Sequence, residues 1–219
     1  MKRAILIAWA LLACCAAPQG AAAQITHTPQ GGVDRKAQAL LAKAEKAMNA
    51  GPLAFSVTME TRDAHKNTTS KHTAQVLYDK GRYRLEMGGR KVLCDGTAVF
   101  AISDDAKEVT ISAMSQQEDD LSNPGALLAH WKKNFRAKYI RTERSGTAVV
   151  DLVPLKGKSY HKIRMMLSPT GMPKEMTMHN YDGSEARFAL GGARAAKAVA
   201  ADFVFDRAAH PGYEVIDMR

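Results

Sequence analysis

The clearest pattern in the chain is an alternation of apolar and polar residues between positions 76 and 103. Apolar Tyr83, Leu85 and Met87 alternate with charged residues, and successive side chains of an extended strand point to opposite faces. Turn residues follow this strand at Gly88-Gly89 and the next strand at Asp95-Gly96, where positive φ angles are favoured. The stretch therefore predicts a three-stranded antiparallel meander that is half buried on one face.

Similar short alternating segments lie on both sides of this meander. Turn signals such as Ser145-Gly146 and Asp182-Gly183 separate several of them. No helical segment between them is long enough for a parallel crossover, so we expect an antiparallel succession. The predicted strands lie near residues 55–59, 73–78, 109–111, 139–143, 147–153, 163–167, 176–178 and 186–190, and a terminal strand closes the chain.

Two stretches have helical spacing instead. The first begins with Asp34 as N-cap and ends at 49–52, and the second begins at Asn123-Pro124. Two amphipathic helices among half-buried strands need an apolar surface, and one face of a curved sheet can supply it. The sequence thus predicts a mainly β fold with α (α+β). The apolar positions are Ala37, Leu40, Leu41, Ala44 and Met48 in the first helix, and Leu127, Leu128, Trp131 and Phe135 in the second.

The first 23 residues have the composition of an export signal. Met1-Lys2-Arg3 is basic, residues 4–17 are apolar but short for a membrane span, and Ala21-Ala22-Ala23 suits signal peptidase. We expect a signal peptide over 1–23 cleaved after Ala23, a disordered linker over 24–33, and a single domain over 34–219 in the periplasm. Lipidation of Cys14 is the competing interpretation.

The chain carries a formal net charge of +9, two units of which belong to the predicted signal. Its basic residues alternate with apolar ones along strands and accompany no helix-turn-helix or zinc-finger pattern, so we expect no nucleic-acid partner. An exported basic protein is expected to meet anionic lipid head groups or acidic partner surfaces. Cys94 is the one cysteine left after the signal, so no intramolecular disulfide can form.

No sequence pattern indicates catalysis or a metal site. The seven histidines are scattered without a metal-binding spacing, and no P-loop, nucleophile elbow or dinucleotide fingerprint is present. Cys94, on an alternating strand beside a tight turn, is typical of a small core residue. We therefore expect no cofactor, no metal and no enzymatic activity. A periplasmic esterase that uses Cys94 or a serine ranks last among the alternatives, because no base can be named.

Methionines are concentrated in one predicted hairpin. They are flexible and polarizable, which suits surfaces that adapt to irregular apolar ligands, although ordinary core packing explains the same composition. The five positions are Met165, Met166, Met172, Met176 and Met178.

Three segments resemble the outer-membrane lipoprotein carrier (LolA-like) family. They are the basic strand 80–86 (KGRYRLE), the stretch 92–97 (VLCDGT) followed by Phe100, and the closing residues Pro211 to Arg219. Phe100 stands where family members usually carry tryptophan. The resemblance implies an incomplete antiparallel barrel whose concave apolar face, covered by a lid of helices, holds the acyl chains of lipoproteins.

The resemblance also implies roles for individual residues. The lid would contribute Leu40, Leu41, Leu127, Leu128 and Trp131. An arginine that holds the lid closed in the best-known members would correspond to Arg82, to Arg84 or to neither, and a solvated or partner-binding pair is the alternative. The acyl-chain cavity would be lined by Phe55, Val57, Met59, Tyr83, Leu85, Met87, Phe100, Ile102, Ile111, Met165, Met176, Met178 and Phe188.

The function implied by the resemblance is that of a monomeric periplasmic chaperone that carries lipoproteins from the inner to the outer membrane. Its expected partners are triacylated lipoproteins, the inner-membrane lipoprotein-releasing ABC transporter and an outer-membrane acceptor. A periplasmic lipid-binding sensor of mislocalised lipoproteins in envelope-stress signalling is the alternative, because such regulators contain a similar fold. Those regulators usually carry an additional domain, for which this chain leaves little space.

Overall fold

A computed structural model of the protein describes residues 34–114 and 124–219. The predicted signal peptide, its cleavage after Ala23 and the predicted linker lie outside the described residues, as does the predicted helix cap Asn123. The described part contains two α-helices, α1 (Arg35–Met48) and α2 (Pro124–Asn134), and a twelve-stranded sheet.

The strands follow the predicted succession closely. The first six are β1 (Leu53–Arg62), β2 (Thr68–Asp79), β3 (Arg82–Met87), β4 (Arg90–Cys94), β5 (Ala98–Ser103) and β6 (Glu108–Ala113). After α2 come β7 (Phe135–Thr142), β8 (Ala148–Pro154), β9 (Tyr160–Leu167), β10 (Pro173–Asn180), β11 (Glu185–Ala195) and β12 (Glu214–Asp217).

The sheet is open, with β12 and β7 at its two edges. Its order is β12-β6-β5-β4-β3-β2-β1-β11-β10-β9-β8-β7, so it is a large curved sheet that does not close into a barrel. All strand pairs are antiparallel except that of β12 with β6. These two strands are parallel, and Val215 lies opposite Val109. The prediction of a wholly antiparallel succession is wrong here, because the connection over 196–213 is long enough to return the chain without a crossover helix. Its 3₁₀ turn, Ala200–Phe203, contacts β3 and β4.

Helix α1 forms where its sequence predicts. Asp34 caps it, and the Asn49 amide donates to the Glu45 carbonyl at its end. Four of its five predicted apolar side chains are fully buried, namely Ala37, Leu41, Ala44 and Met48, while Leu40 is partly buried.

Helix α2 ends one residue earlier than its apolar pattern predicts. Phe135 is the first residue of β7, opposite Pro154, and not part of the helix. The Asn134 carbonyl accepts the Leu155 amide at 2.9 Å, so β pairing begins where the helix stops. Phe135 still faces the same core as α2, stacked against Tyr160.

The two faces of the sheet carry separate apolar clusters. The helix face, defined as the face against which α1 and α2 pack, includes the cross-strand row Tyr78, Tyr83, Cys94 and Val99. The outer face carries a smaller cluster over β4–β6, covered by residues of the C-terminal segment. That outer cluster consists of Leu93, Ala98, Phe100, Ile102, Val109 and Ile111, with Phe205, Tyr213 and Val215 packed against it.

Away from this cluster the outer face is charged. Asp151, although buried, accepts two hydrogen bonds from the Arg164 guanidinium, at 2.7 and 2.8 Å. Paired charges of this kind explain why the helices pack on the other side of the sheet. One cross-strand row of the register runs through Lys138, Asp151, Arg164, Thr177, Arg187, Glu60 and Lys71.

Candidate functional site

The position of α1 over the sheet depends first on Asp34. One carboxylate oxygen of Asp34 accepts the Ala37 amide at 2.9 Å, and the other accepts the Tyr139 amide of β7 at 2.7 Å. These two backbone donors hold the pKa of the Asp34 carboxyl below its ordinary value. A single side chain therefore starts the helix and joins it to an edge strand.

Three further contacts hold the rest of α1. The Lys36 ammonium lies 3.7 Å from the centre of the Tyr139 ring. The Lys43 ammonium donates to the Pro169 carbonyl at 2.6 Å, and the Asn49 side chain accepts from the Tyr78 hydroxyl at 3.1 Å. Polar attachments thus lie at both ends and in the middle of α1, in addition to its apolar contacts with the cluster.

Beneath the helices lies one continuous apolar cluster. Trp131 of α2 is 3% exposed, and Leu41 of α1 is completely buried, within the same cluster as β-strand side chains. The cluster also has a partly buried margin, where apolar side chains pack against it while keeping some exposure. That margin includes Leu40, Met59, Met87, Met114, Met172, Met178, Phe188 and Leu190.

Methionine is abundant on this apolar face. Eight of the chain's eleven methionines belong to the helix-face cluster or pack against it. Unbranched thioether side chains can repack around apolar ligands of different shapes. The eight are Met48, Met59, Met87, Met114, Met165, Met172, Met176 and Met178.

An open groove of about 460 Å³ adjoins the cluster at β3–β6. Leu85 belongs to both, and Met87 and Val92 line the groove while packing against the cluster. Charged and polar residues, including Arg90 and Glu108, also line it. Its volume falls within the range of ligand pockets, roughly 300–1,000 Å³. The arrangement combines an apolar wall with a polar margin, as binding of an amphipathic ligand requires.

The helix-face cluster brings together ten of the thirteen predicted cavity residues, along with all five predicted lid residues. The ten are Phe55, Val57, Met59, Tyr83, Leu85, Met87, Met165, Met176, Met178 and Phe188. The five are Leu40, Leu41, Leu127, Leu128 and Trp131.

Phe100, Ile102 and Ile111 do not share this face, and their expected position was wrong. Cys94 lies opposite Val99, which puts Val99 on the helix face and Phe100 on the outer face. Alternation could not reveal this, because β5 is apolar on both sides and its outer side is covered by the C-terminal segment. Ile102 belongs to the outer cluster but also lines the end of the groove.

Arg82 and Arg84 lie on the outer face, away from both helices. Arg82 pairs with Asp79, and its guanidinium carbon lies 4.9 Å from the centre of the Phe203 ring. Arg84 donates to Asp202 at 3.0 Å. Among the described residues, these contacts go to β2 and to the 3₁₀ turn, so they do not support the lid-locking interpretation.

The residues that attach α1 to the sheet could not be predicted from sequence. The sequence predicts Asp34 as a helix cap, but its bond to Tyr139 joins positions 105 apart in sequence. The Lys43 contact with Pro169 spans 126 positions. Local patterns carry no signal for such pairs.

Cys94 is completely buried in the helix-face cluster, as predicted for a core residue. Burial raises the pKa of its thiol, which disfavours the reactive thiolate. The described residues contain no group of three or more metal-ligating side chains that could hold an ion. Within the same ranges, neither helix has the length and apolar character needed to cross a membrane.

Comparison with known families gives a match over residues 81–206, more than half of the chain. The matching family is described as outer membrane lipoprotein carrier protein LolA. The chain belongs to the LolA family. No curated protein matches this LolA-family sequence.

Solved structures resemble the LolA-family chain at low sequence identity. An uncharacterized conserved protein from Thermus thermophilus is 12% identical, with a TM-score of 0.57, over 84% of this chain and 99% of that one. This similarity shows the fold alone. A LolA superfamily protein from Nitrosomonas europaea is also 12% identical, with a TM-score of 0.46, over 78% of this chain and 98% of that one.

The Pseudomonas aeruginosa MucA/MucB complex contains a further similar chain. It is 18% identical, with a TM-score of 0.41, over 78% of this chain and 61% of that one. The LolA-family chain therefore spans less than two thirds of that neighbour.

Proposed function

We propose that the protein is a periplasmic carrier that shields the acyl chains of lipoproteins between its helix face and helices α1 and α2. The observation that carries this proposal is the presence of eight methionines in the cluster between the sheet and the two helices or packed against it, beside an open groove with an apolar wall. Membership of the LolA family supports it. The finer route, from an inner-membrane ABC transporter to an outer-membrane acceptor, belongs to the same proposal.

Energetics define what such a carrier must do. Burying an acyl chain is worth ~0.8 kcal/mol per CH₂. Transfer of a chain of about fourteen carbons from an apolar environment into water therefore costs roughly 11 kcal/mol. Free diffusion of an acylated protein through an aqueous compartment is therefore excluded. The carrier has to match this shielding and still release its cargo.

Helix α1 suits a reversible cover. Its polar attachments at Asp34, Lys43 and Asn49 are single hydrogen bonds or pairs of them, and each bond contributes about 1 kcal/mol net. The apolar stripe of α1 can exchange contacts with the sheet for contacts with an acyl chain at little cost. Opening and closing would then be set by whether cargo occupies the helix face.

Trp131 offers a direct test of the proposal. In the chain without residues 1–23 it is the single tryptophan, and it lies inside the cluster. We expect a triacylated lipopeptide to shift its emission, and the unacylated peptide to leave it unchanged.

Two near-isosteric variants sharpen the test. Met87→Gln introduces a polar group on the helix face and should weaken lipopeptide binding about tenfold. Met166→Gln is the matched control, because Met166 is also half-buried but lies outside the helix-face cluster, opposite Val149 and Glu175. Equal responses to acylated and unacylated peptide, or equal effects of the two variants, would remove the proposal.

A further inference from the structure

Positive charge is concentrated in one part of the chain. Residues 131–164 contain ten lysines and arginines against two acidic residues, a net charge of +8. Residues 34–219 together carry +7, so everything outside this basic segment amounts to −1. The basic character of the protein is therefore local.

The two acidic residues of the basic segment are both paired within it. Asp151 accepts from Arg164, and Glu143 lies 3.2 Å from Arg141. Five other cations are exposed at one end of the sheet, where α2 ends and the loop between β8 and β9 begins. We call this surface the basic tip, and its cations are Lys132, Lys133, Arg136, Lys156 and Lys158.

Backbone hydrogen bonds bring the parts of the basic tip together. The Leu155 amide donates to the Asn134 carbonyl at 2.9 Å, which places the β8–β9 loop beside the end of α2. On the other side of the loop, the Tyr181 amide donates to the Ser159 carbonyl at 3.4 Å. One helix end and two strand connections thus form a single surface.

Two of the most exposed large apolar side chains lie on this surface. Leu155 is 58% exposed and Tyr181 is 73% exposed. The Tyr181 ring lies 5.6 Å from the ring of His161, which supports its outward position. Asp182, next to Tyr181, is an exposed carboxylate, so the five cations of the tip outnumber it there. Exposed aliphatic and tyrosine side chains near an excess of cations are features of proteins that bind a membrane surface, where apolar groups enter the head-group region.

We propose that the basic tip is a docking surface for anionic membranes. The cations would face acidic phospholipid head groups, while Leu155 and Tyr181 enter the interface between them. An acidic protein surface would satisfy the cations but would leave the exposed leucine without a matching environment. The basic tip is separate from the proposed acyl-chain site and consists of different residues. Docking through it would hold the carrier at a membrane surface by reversible contact.

Cosedimentation of the lipid-free protein with vesicles tests this proposal. We expect binding to phosphatidylethanolamine vesicles that contain about a third phosphatidylglycerol at low salt, little binding to phosphatidylcholine vesicles, and loss of binding at high salt. Each basic residue near such a surface contributes about a fivefold gain in partitioning. The triple variant K132Q/R136Q/K156Q should therefore bind about a hundredfold more weakly.

Matched controls separate local charge from total charge. The variant K46Q/K174Q/R194Q also removes two lysines and one arginine, but from exposed positions outside the tip. It should bind nearly as the parent does. Leu155→Ser should weaken binding without changing net charge. Met87→Gln should bind vesicles normally, so failure of the membrane proposal and failure of the acyl-chain proposal are distinguishable.

Several results would overturn the proposal. These are absence of parental binding to anionic vesicles at low salt, equal binding to neutral vesicles, and equal losses in the two triple variants. Binding to polyglutamate without binding to vesicles would assign the tip to an acidic protein partner and also overturn it.

Discussion

At the residue scale, Asp34 is the side chain on which the placement of α1 depends most. Asp34→Ala removes both the helix cap and the bond to the Tyr139 amide. We expect a loss of about 1–2 kcal/mol in the free energy of unfolding, measured by urea denaturation. Asp34→Asn keeps an oxygen that can cap the helix and should lose less. Equal stability of the parent and Asp34→Ala would contradict this role.

The Asp34 contribution should depend on pH. Because its pKa is lowered in the folded state, the stabilisation is fully present above the unfolded aspartate pKa of about 3.9 and is lost as the pH falls through the lower folded pKa. The stability difference between the parent and Asp34→Ala should therefore shrink between pH 5 and strongly acidic solution. A constant difference across that range would show that the carboxylate charge plays no part.

Arg84 tests the alternatives for the arginine pair. Arg84 forms ion pairs with Asp202 and Glu86, and all three side chains are partly exposed. Arg84→Leu should therefore lower the free energy of unfolding by less than about 1 kcal/mol. We expect faster hydrogen exchange in the 3₁₀ turn, with the transfer of acylated cargo, followed through Trp131, at the parental rate. Slower cargo release in this variant would restore the lid-locking interpretation.

At the element scale, the turn between β9 and β10 limits how closely α1 approaches the sheet. Gly171 has a φ of +97°, and a Cβ there would lie 2.9 Å from the Lys43 carbonyl oxygen. Gly171→Ala therefore combines backbone strain with a clash against α1. We expect a loss of about 2–3 kcal/mol and faster hydrogen exchange along α1.

Gly192 supplies the control for this prediction. It also has a positive φ, of +63°, but a Cβ there meets nothing within 4 Å. Gly192→Ala should show the backbone strain alone, about 1–2 kcal/mol, without a change in α1. If the two variants lose equal stability and α1 exchanges at the parental rate in both, close approach at Gly171 has no effect on the helix.

The elements themselves were largely predictable, because their signals are local. Asp34 and the apolar stripe from Ala37 to Met48 specify α1, and alternation with turn residues specifies most strands. The side on which β5 places Phe100 was not predictable, because Val99 and Phe100 are both apolar and both buried, on opposite faces of the strand. The parallel pairing of β12 was also not predictable, because it depends on a long connection that has no periodic pattern.

At the scale of the whole molecule, β12 covers an edge that would otherwise be exposed. Val215 packs on the outer cluster, and the strand pairs with β6 along Glu214–Asp217. A chain that ends at residue 213 should expose the backbone groups of β6 and part of this cluster. We expect it to self-associate at concentrations where the parent does not, as measured by light scattering after size exclusion.

Arg219→Gln is the control for the truncation, because it removes the ion pair with Asp217 but keeps the strand. This variant should behave as the parent does. A truncated chain with parental size and stability would show that β12 has no protective role.

The family could be predicted from sequence because strand 80–86 and the residues after it resemble those of lipoprotein carriers, and the family match over residues 81–206 agrees. Ten of the positions predicted to line a cavity share one apolar cluster, since alternation separated the faces of β1, β3 and β10. The helix attachments and the basic tip required the fold, because both combine residues distant in sequence.

The central claim is that acyl chains lie on the helix face, and site-resolved photocrosslinking tests it most directly. A lipopeptide with a photoreactive group in one acyl chain would be irradiated with the protein, and the labelled residues mapped by peptide mass spectrometry. We predict labels on Met87, Met178 and the α1 segment around Leu41, all removed by competition with unlabelled lipopeptide. Labels confined to Met166 or Phe205 on the outer side, or labelling that competition does not reduce, would contradict the account.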